Sequence, residues 1–304
     1  LSGALCHAAQ MPRVFLCNSG AEANEAAIKF ARLATGRTGI VATMRGFHGR
    51  TMGALSTTWD KTYREPFAPL IPDVSFVPYN NIERLSAAVT DQTAAILLEV
   101  VQGEGGVHPA QDGYLQAVQA LAHERGALLI VDEVQTGFGR TGYLFAHQHD
   151  GIQPDLLTVA KSMGGGIPMG ACLIGERVGA LPPASHGSTF GGNPLACAGG
   201  LAVLETLENG DLIARTRDLG AQLLAHFSER LPEQTVREVR GRGLMIGIEL
   251  RGKVAPVLRA LQARGVIALP AGSTVLRLLP PLIIEEDDLW RAAAIVQEVL
   301  SDAA

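Results

Sequence analysis

The sequence predicts an α/β protein with a mostly parallel central sheet, helices on both faces of that sheet, and a smaller C-terminal α/β domain. Up to about residue 195, short and almost continuously apolar runs alternate with amphipathic stretches of helical period. Strands of this kind are typical of parallel sheets that are covered on both faces. Beyond that point longer helices and alternating strands follow, and 304 residues suffice for about two domains. We therefore predict a large domain at 1–205 and a small domain at 206–304.

The predicted strands of the large domain are short and apolar, and each is separated from the next by a turn or a helix. They are Val14–Cys17, Ile40–Thr43, Val74–Val77, Ala94–Val101, Ala127–Asp132, Leu156–Ala160 and Ala171–Ile174. An intervening helix is predicted at Asp112–Arg125, where Leu115, Val118 and Ala122 share one face at helical spacing.

The C-terminal part combines long helices with a second set of strands. We predict helices at Leu195–Glu208, Asp211–Leu231, Val254–Arg264 and Glu285–Leu300, and strands at Val236–Arg240, Leu244–Leu250, Val266–Leu269 and Val275–Leu279. The acidic run at 285–288 favours a helix N-terminus, where negative charge meets the positive end of the helix dipole.

Composition excludes several classes of function. The net charge of −5 gives no support for nucleic-acid binding. No apolar run approaches the length of a membrane span, and the first residues do not resemble a signal peptide, so we expect a cytoplasmic protein. Cys6, Cys17, Cys172 and Cys197 show no metal-ligand spacing, which predicts free thiols and no metal site.

Lys161 follows the predicted strand Leu156–Ala160 and precedes the glycine cluster 164–166. We expect a lysine that leaves a buried strand to be partly desolvated, which favours the neutral amine, a nucleophile that forms Schiff bases with carbonyl compounds. A solvated lysine at a strand end is the alternative. A nucleotide-binding P-loop is disfavoured because the lysine comes before the glycines and not after them.

The segment 18–25 follows a strand and opens a helix. Ser19 and Glu22 have the spacing of a capping box. Gly20 and Ala21 are small enough to let a phosphate approach their backbone N–H groups at the helix N-terminus. The structural and the functional interpretation are compatible.

Asp132 ends a buried strand, where an ionised carboxylate needs a partner. Ligands of open α/β sheets bind at the carboxyl ends of the strands, and both Asp132 and Lys161 lie at such ends. A carboxylate facing a pyridine nitrogen keeps that nitrogen protonated. A lysine, an aspartate and a helix N-terminus are together the parts that a pyridoxal phosphate enzyme needs.

Eight segments in order resemble the class III aminotransferases, which are pyridoxal phosphate enzymes of fold type I. They are CNSGAEANEAAIKFAR (17–32), GFHGRTMGALS (46–56), VQGEGGV (101–107), LLIVDEVQTGFGRTG (128–142), AKSMGGGIPMGA (160–171), HGSTFGGNPLACA (186–198), VRGRGLMIGIEL (239–250) and VLRLLPPL (275–282). Within the class, the chain is most similar to the acetylornithine aminotransferase group. The stretch at 63–80 particularly resembles the lysine-biosynthetic branch, whose substrate is attached to an amino-group carrier protein.

The resemblance implies a cofactor site formed by Ser19, Gly20, Ala21, Phe47, Asp132, Val134, Gln135, Lys161 and Thr189. Lys161 would be the Schiff-base lysine and would move the substrate proton, and Asp132 would pair with the pyridine nitrogen. Val134 and Phe47 would pack on opposite ring faces, and Gln135 would contact the phenolic oxygen. The helix start would bind the phosphate.

The resemblance also implies substrate contacts and a homodimer. Arg50 would bind a substrate carboxylate as a two-bond fork, and Ser188 would lie beside the substrate. Arg277 would bind a second carboxylate and would pair with Glu104 when the longer amino donor is bound. Thr189 would reach the phosphate of the partner subunit. His48 is assigned a structural role.

The expected activity is transfer of an ω-amino group from N-acetylornithine or a carrier-linked lysine precursor to 2-oxoglutarate by a ping-pong mechanism. Ornithine or 4-aminobutyrate aminotransferases, a semialdehyde aminomutase and a non-catalytic relic are the alternatives. The family's N-terminal segment has no counterpart here. The chain also has Val100 where the family usually has proline, which predicts a less rigid loop around Glu104.

Overall fold

The computed structural model describes residues 1–303. The helices are α1 Ser2–Ala9, α2 Gly20–Thr35, α3 Met52–Thr57, α4 Lys61–Arg64, α5 Ile82–Ala88, α6 Tyr114–Glu124, α7 Pro194–Asn209, α8 Leu212–Arg230, α9 Val254–Ala263 and α10 Glu286–Asp302. The strands are β1 Arg13–Cys17, β2 Gly39–Thr43, β3 Val74–Val77, β4 Thr93–Glu99, β5 Val101–Gln102, β6 His108–Pro109, β7 Leu128–Asp132, β8 Leu156–Val159, β9 Gly170–Ile174, β10 Val236–Arg242, β11 Met245–Leu250, β12 Leu269–Ala271 and β13 Val275–Leu278.

The large sheet has seven strands in the order β1-β9-β8-β7-β4-β2-β3. Strands β3, β2, β4, β7 and β8 pair in parallel, which confirms the predicted mostly parallel architecture. Every residue of β4, β7 and β8 is buried, as expected for strands that are covered on both faces.

Strand β9 is antiparallel to both of its neighbours, β8 and β1. Its first residue, Gly170, is paired with Cys17, the last residue of β1. The start of β9 therefore lies at the same edge of the sheet as the carboxyl ends of the parallel strands. This edge collects the residues that follow β1, β4, β7 and β8.

The predicted strand Ala94–Val101 is two strands in the structure. Strand β4 ends at Glu99, and Val101–Gln102 pairs instead with His108–Pro109 in a separate two-stranded sheet. The apolar run is continuous, so its composition does not reveal the break.

The remaining strands form a four-stranded antiparallel sheet in the order β10-β11-β13-β12. The predicted strand Val266–Leu269 is wrong in position, because the paired residues are 269–271. The prediction followed hydrophobicity, and Ile267 is 88% exposed. Helices α8, α9 and α10 supply Leu223, Leu261 and Val296 to the apolar core of this part of the chain.

The chain divides into two compact units. The first unit comprises residues 1–100, 110–138 and 144–209, and the second comprises 101–109, 139–143 and 210–304. We predicted one boundary near residue 205 and assigned the two short segments to the large domain; these domain limits remain a prediction. Across residues 1–303 we find no helical segment with the length and hydrophobicity of a membrane span.

Two helical glycines should respond in opposite directions to alanine. A Cβ on Gly220 in α8 would lie 2.3 Å from the carbonyl oxygen of Gly243, whereas a Cβ on Gly3 in α1 would meet nothing within 4 Å. We expect Gly3→Ala to stabilise by up to about 1 kcal/mol through helix propensity. Gly220→Ala should destabilise by about 1–3 kcal/mol, because overpacking against backbone outweighs that gain. Thermal unfolding of both variants measures this, and an increased Tm for Gly220→Ala would contradict the packing described.

Candidate active site

A cavity of approximately 480 Å³ lies at the edge of the large sheet where the parallel strands end. Nine of the predicted site residues line it: Ser19, Gly20, Ala21, Phe47, Arg50, Asp132, Val134, Gln135 and Lys161. All of them belong to the first unit. Segments far apart in sequence thus meet in one cavity.

The N-terminus of α2 forms one wall of this cavity. The Ser19 hydroxyl accepts a hydrogen bond from the Glu22 N–H at 3.2 Å, as predicted for a helix cap. The Glu22 carboxylate does not complete the predicted capping box on Ser19. It accepts instead from the backbone and side-chain nitrogens of Asn18, at 2.6 and 2.9 Å. Gly20 and Ala21 are the first two helical residues, whose N–H groups have no acceptor within a helix and suit an anion.

Gly20 is also required by the neighbouring loop. A Cβ on Gly20 would lie 2.6 Å from Cγ1 of Val134. Val134 is the residue expected to pack on one face of a bound ring, and it can occupy this place only because residue 20 has no side chain. The helix start and the ring-packing residue are thus adjacent, which fits a phosphorylated aromatic ligand.

Asp132 is 4% exposed at the end of β7, and its carboxylate is held from three directions. One oxygen accepts from Asn24 Nδ2 and from His48 Nδ1, each at 2.8 Å. The other accepts from the Val134 N–H at 2.9 Å. An ionised carboxylate is only an acceptor, so His48 Nδ1 carries the proton in this pair. These bonds fix the direction in which the carboxylate faces the cavity.

Asn24 extends this arrangement into the sheet. Its amide oxygen accepts from the Thr158 hydroxyl on β8 at 2.8 Å, and its nitrogen also donates to the His48 carbonyl at 2.7 Å. Thr158 is the direct neighbour of Asp132 across the β7–β8 pair. Helix α2 and two strands are therefore tied to one carboxylate.

Sequence reasoning did not assign these functions to Asn24 and His48. Asn24 is 1% exposed and His48 is 2% exposed. A buried asparagine one turn inside an alanine-rich helix was an available signal, because buried polar groups require partners. The sequence does not identify that partner, because Asn24 and Asp132 are 108 residues apart.

Lys161 occupies a strained backbone position. Its φ is +48°, in the left-handed region that residues other than glycine seldom adopt. Such conformations cluster at functional sites, where surrounding structure holds them. Lys161 is exposed and lies beyond the end of β8 in the wall of the cavity, so its partial desolvation remains a prediction.

Phe47 and Arg50 are held by neighbours that the sequence did not identify. The buried Glu99 carboxylate accepts from the Phe47 N–H at 3.0 Å. The Arg50 guanidinium lies 4.2 Å from the ring centroid of Tyr63, a cation–π arrangement. Tyr63 also meets the Phe47 ring edge-on, with 6.1 Å between centroids. A single tyrosine therefore supports both residues.

The other predicted residues lie outside the cavity lining. The Ser188 hydroxyl accepts from Asn18 Nδ2 at 3.1 Å, so Ser188 adjoins a lining residue. Thr189 is exposed in the same segment of the first unit. Glu104 and Arg277 belong to the second unit, where Arg277 Nη1 donates to a Glu104 oxygen at 2.7 Å. Their predicted pairing is therefore present.

Neither the cysteines nor a metal-binding cluster contributes to this site. All four cysteines are free, and burial raises the pKa of the Cys17 thiol to about 12, so that it stays protonated. Within residues 1–303, no group of three or more His, Cys, Asp or Glu side chains could hold a metal ion.

Residues 2–300 match the protein family described as aminotransferase class-III. An acetylornithine aminotransferase of Methanothermobacter thermautotrophicus is 49% identical over 95% of this chain and 75% of that protein. A [LysW]-aminoadipate semialdehyde transaminase of Deinococcus radiodurans is 47% identical over 96% of this chain and 69% of that protein.

A solved structure of ornithine aminotransferase from Toxoplasma gondii superimposes with a TM-score of 0.94 at 33% identity. The match covers 98% of this chain and 74% of that one. The similarity therefore extends over the sheet, the cavity and the second unit. The chain belongs to the class III aminotransferases, and it is a pyridoxal phosphate-dependent transaminase.

Proposed function

We propose that this enzyme transfers the ω-amino group of N-acetylornithine, or of a lysine precursor attached to an amino-group carrier protein, to 2-oxoglutarate. The products are a semialdehyde and glutamate. The observation that carries the proposal is the meeting of Lys161, Asp132 and the start of α2 in one cavity. The choice of donor rests on relatives with these two activities, which are 49% and 47% identical over nearly the whole chain.

Ornithine is the second candidate donor. The ornithine aminotransferase of Toxoplasma gondii has the same fold, but its identity of 33% is lower than that of the acetylornithine relatives. A 4-aminobutyrate aminotransferase or a semialdehyde aminomutase needs the same cavity chemistry. A non-catalytic relic is disfavoured because Lys161 and Asp132 are both retained at the cavity.

Pyridoxal phosphate, when bound, supplies an aldehyde that condenses with amines and a ring that accepts electrons from the reacting carbon. The residues present fit this group. Lys161 would provide the amine nucleophile, and its Nζ would move a proton from the reacting carbon of the substrate to C4′ of the cofactor. The N–H groups of Gly20 and Ala21 would bind the phosphate, Val134 and Phe47 would pack on the ring, and Gln135 would contact its phenolic oxygen.

Asp132 would hold a proton on the ring nitrogen of the bound cofactor. Its carboxylate remains in place because Asn24, His48 and the Val134 N–H occupy its other lone pairs. The low exposure of Asp132 strengthens this interaction, since a buried charge is poorly screened by water.

Arg50 binds a carboxylate of the substrate, and Ser188 lies beside the substrate. Arg277 binds the second carboxylate of glutamate or 2-oxoglutarate. With an ω-amine donor, Glu104 neutralises Arg277 through the ion pair seen in the structure. This exchange would let one enzyme accept two substrates of different charge.

The site is completed in a homodimer, with Thr189 reaching the phosphate bound by the partner subunit. Two observations support an interface near Thr189: Phe190 is 70% exposed and Leu195 is 68% exposed. Side chains this large and apolar are favoured at protein interfaces. We propose an amino-group carrier protein as a further partner, whereas nucleic acid and membrane are not expected. The free thiols support a cytoplasmic location.

Borohydride should attach the cofactor covalently to Lys161 and to no other lysine. Peptide mass spectrometry of the reduced holoenzyme locates the adduct. Lys161→Ala should reduce transamination by more than about a hundredfold, the lower range of a general acid–base contribution. Lys253→Ala, at the start of α9, is the control and should retain activity. An adduct elsewhere, or an active Lys161→Ala enzyme, would refute the assignment.

His48 should influence cofactor binding through Asp132. His48→Leu removes one charge-assisted hydrogen bond, worth about 1.5–3 kcal/mol, and should weaken pyridoxal phosphate binding at least about tenfold. His48→Asn retains a side-chain N–H and should restore most of the affinity. Equilibrium dialysis of the cofactor gives the comparison. Wild-type affinity in His48→Leu would show that the histidine only packs.

A shared site can be tested by mixing two inactive variants. Lys161→Ala lacks the nucleophile, and Thr189→Asp places a negative charge against the phosphate. A mixed dimer contains one intact site if Thr189 acts across the interface, so co-expression should restore about a quarter of wild-type activity. Activity no greater than that of the separate variants would place Thr189 outside the partner's site.

A further inference from the structure

The loop that carries Glu104 is strained. It connects β5 and β6 within the second unit, and two successive residues in it have positive φ, Gly106 at +121° and Val107 at +53°. A β-branched residue in the left-handed region is an outlier that needs external support. The support for this backbone must therefore come from side chains that contact the loop.

Arg240 provides that support. Its side chain comes from β10 and is only 8% exposed. Nε and Nη2 donate to the Gly106 carbonyl at 3.0 and 2.7 Å, and Nε also donates to the Val107 carbonyl at 3.1 Å. The guanidinium thus binds both residues that have the unusual backbone.

The other side of the guanidinium is fixed by carboxylates. Nη1 donates to Glu238 and to Glu249, each at 2.6 Å. Burial alone would raise the pKa of Glu249, but the hydrogen bond and the charge of Arg240 outweigh it and lower that pKa. Arg240 is therefore held in one orientation, and lysine cannot reproduce this planar fork.

The sheet beneath the loop aligns the participating residues. Arg240 pairs with Gly247 across β10 and β11, and Gly247 pairs with Arg277 across β11 and β13. Directly paired residues project from the same face of a sheet. Gly247 leaves the space that Val107 occupies, because a Cβ there would lie 2.7 Å from Cβ of Val107. Arg240 therefore binds the loop at one end of this row of paired residues, and Glu104 contacts Arg277 at the other end.

We propose that Arg240 is a positioning residue that holds the Glu104 loop so that Glu104 closes on Arg277, and that it thereby sets the preference between ω-amine donors and glutamate. This inference rests on the proposed roles of Glu104 and Arg277. A loosened loop disfavours the closed pair. That penalises a donor lacking a second carboxylate and leaves Arg277 more available to glutamate.

The two half-reactions of the holoenzyme should be measured separately by cofactor absorbance, with N-acetylornithine and with glutamate. Arg240→Lys should lower the ratio of kcat/KM for N-acetylornithine to kcat/KM for glutamate by about tenfold, through loss of bonds to a charged group. Arg237→Lys is the matched control, because Arg237 lies on the same strand and pairs with the same Glu249. It should leave the ratio unchanged.

Hydrogen exchange gives a readout independent of activity. Segment 101–109 should exchange faster in Arg240→Lys and not in Arg237→Lys. Gly247→Ala displaces Val107 without altering a charge, and should shift the ratio in the same direction. If Arg240→Lys does not fold, Gly247→Ala provides the test of the proposal.

A double variant separates the inference from the proposed function. In a Glu104→Gln background, Arg240→Lys should have no further effect on the ratio. A full additional effect would overturn the proposal, as would an unchanged ratio in Arg240→Lys when Glu104→Gln alone shifts it. If Glu104→Gln itself has no effect, the exchange at Arg277 fails and the inference falls with it. If the wild type does not use N-acetylornithine, that donor is wrong, and the same ratios are measured with the carrier-linked lysine precursor and with ornithine.

Discussion

The buried carboxylate of Asp132 is the constraint on which the first unit depends. A charge at the end of a buried strand is costly unless it is fully hydrogen-bonded. The structure meets this cost with Asn24 from α2, His48 from the loop after β2, and the Val134 N–H. These partners come from separate segments, so the same bonds that satisfy the charge also fix the helix start and the cavity walls. The stability of this unit and the geometry of the cavity are therefore coupled at one group.

The second unit contains a buried cation, the guanidinium of Arg240, which also needs hydrogen-bonding partners. Arg240 is surrounded by two carbonyls and two carboxylates, and the bonds that satisfy it also hold a strained loop. In both units a buried charge organises the chain around it. In the first unit the organised group lines the cavity, and in the second it is the carboxylate of Glu104, which already has Arg277 as its partner.

Most of the sheet could be predicted from the sequence because strands covered on both faces are apolar throughout. The same continuous apolar character prevents the sequence from revealing the break between Glu99 and Val101, because a change of pairing partner leaves the composition unaltered. Lys161, Asp132 and the start of α2 were identifiable because each lies next to a strand end. Asn24, His48, Tyr63 and Arg240 act through contacts distant in sequence, and no local pattern encodes such partners. Position 267 shows the limit of hydrophobicity, because an apolar residue there is exposed.

The reversed strand β9 has a consequence for the chain around Lys161. The chain leaves β8, passes through Lys161 and returns on β9, which is hydrogen-bonded to both β8 and β1. Gly170 leaves no room for a side chain, because a Cβ there would lie 2.5 Å from the Ser19 carbonyl. The segment 160–169 therefore has both ends anchored in the same sheet. Because the segment begins and ends in paired strands, we expect rotation about the side-chain bonds of Lys161 to supply most of the reach that its proposed role requires.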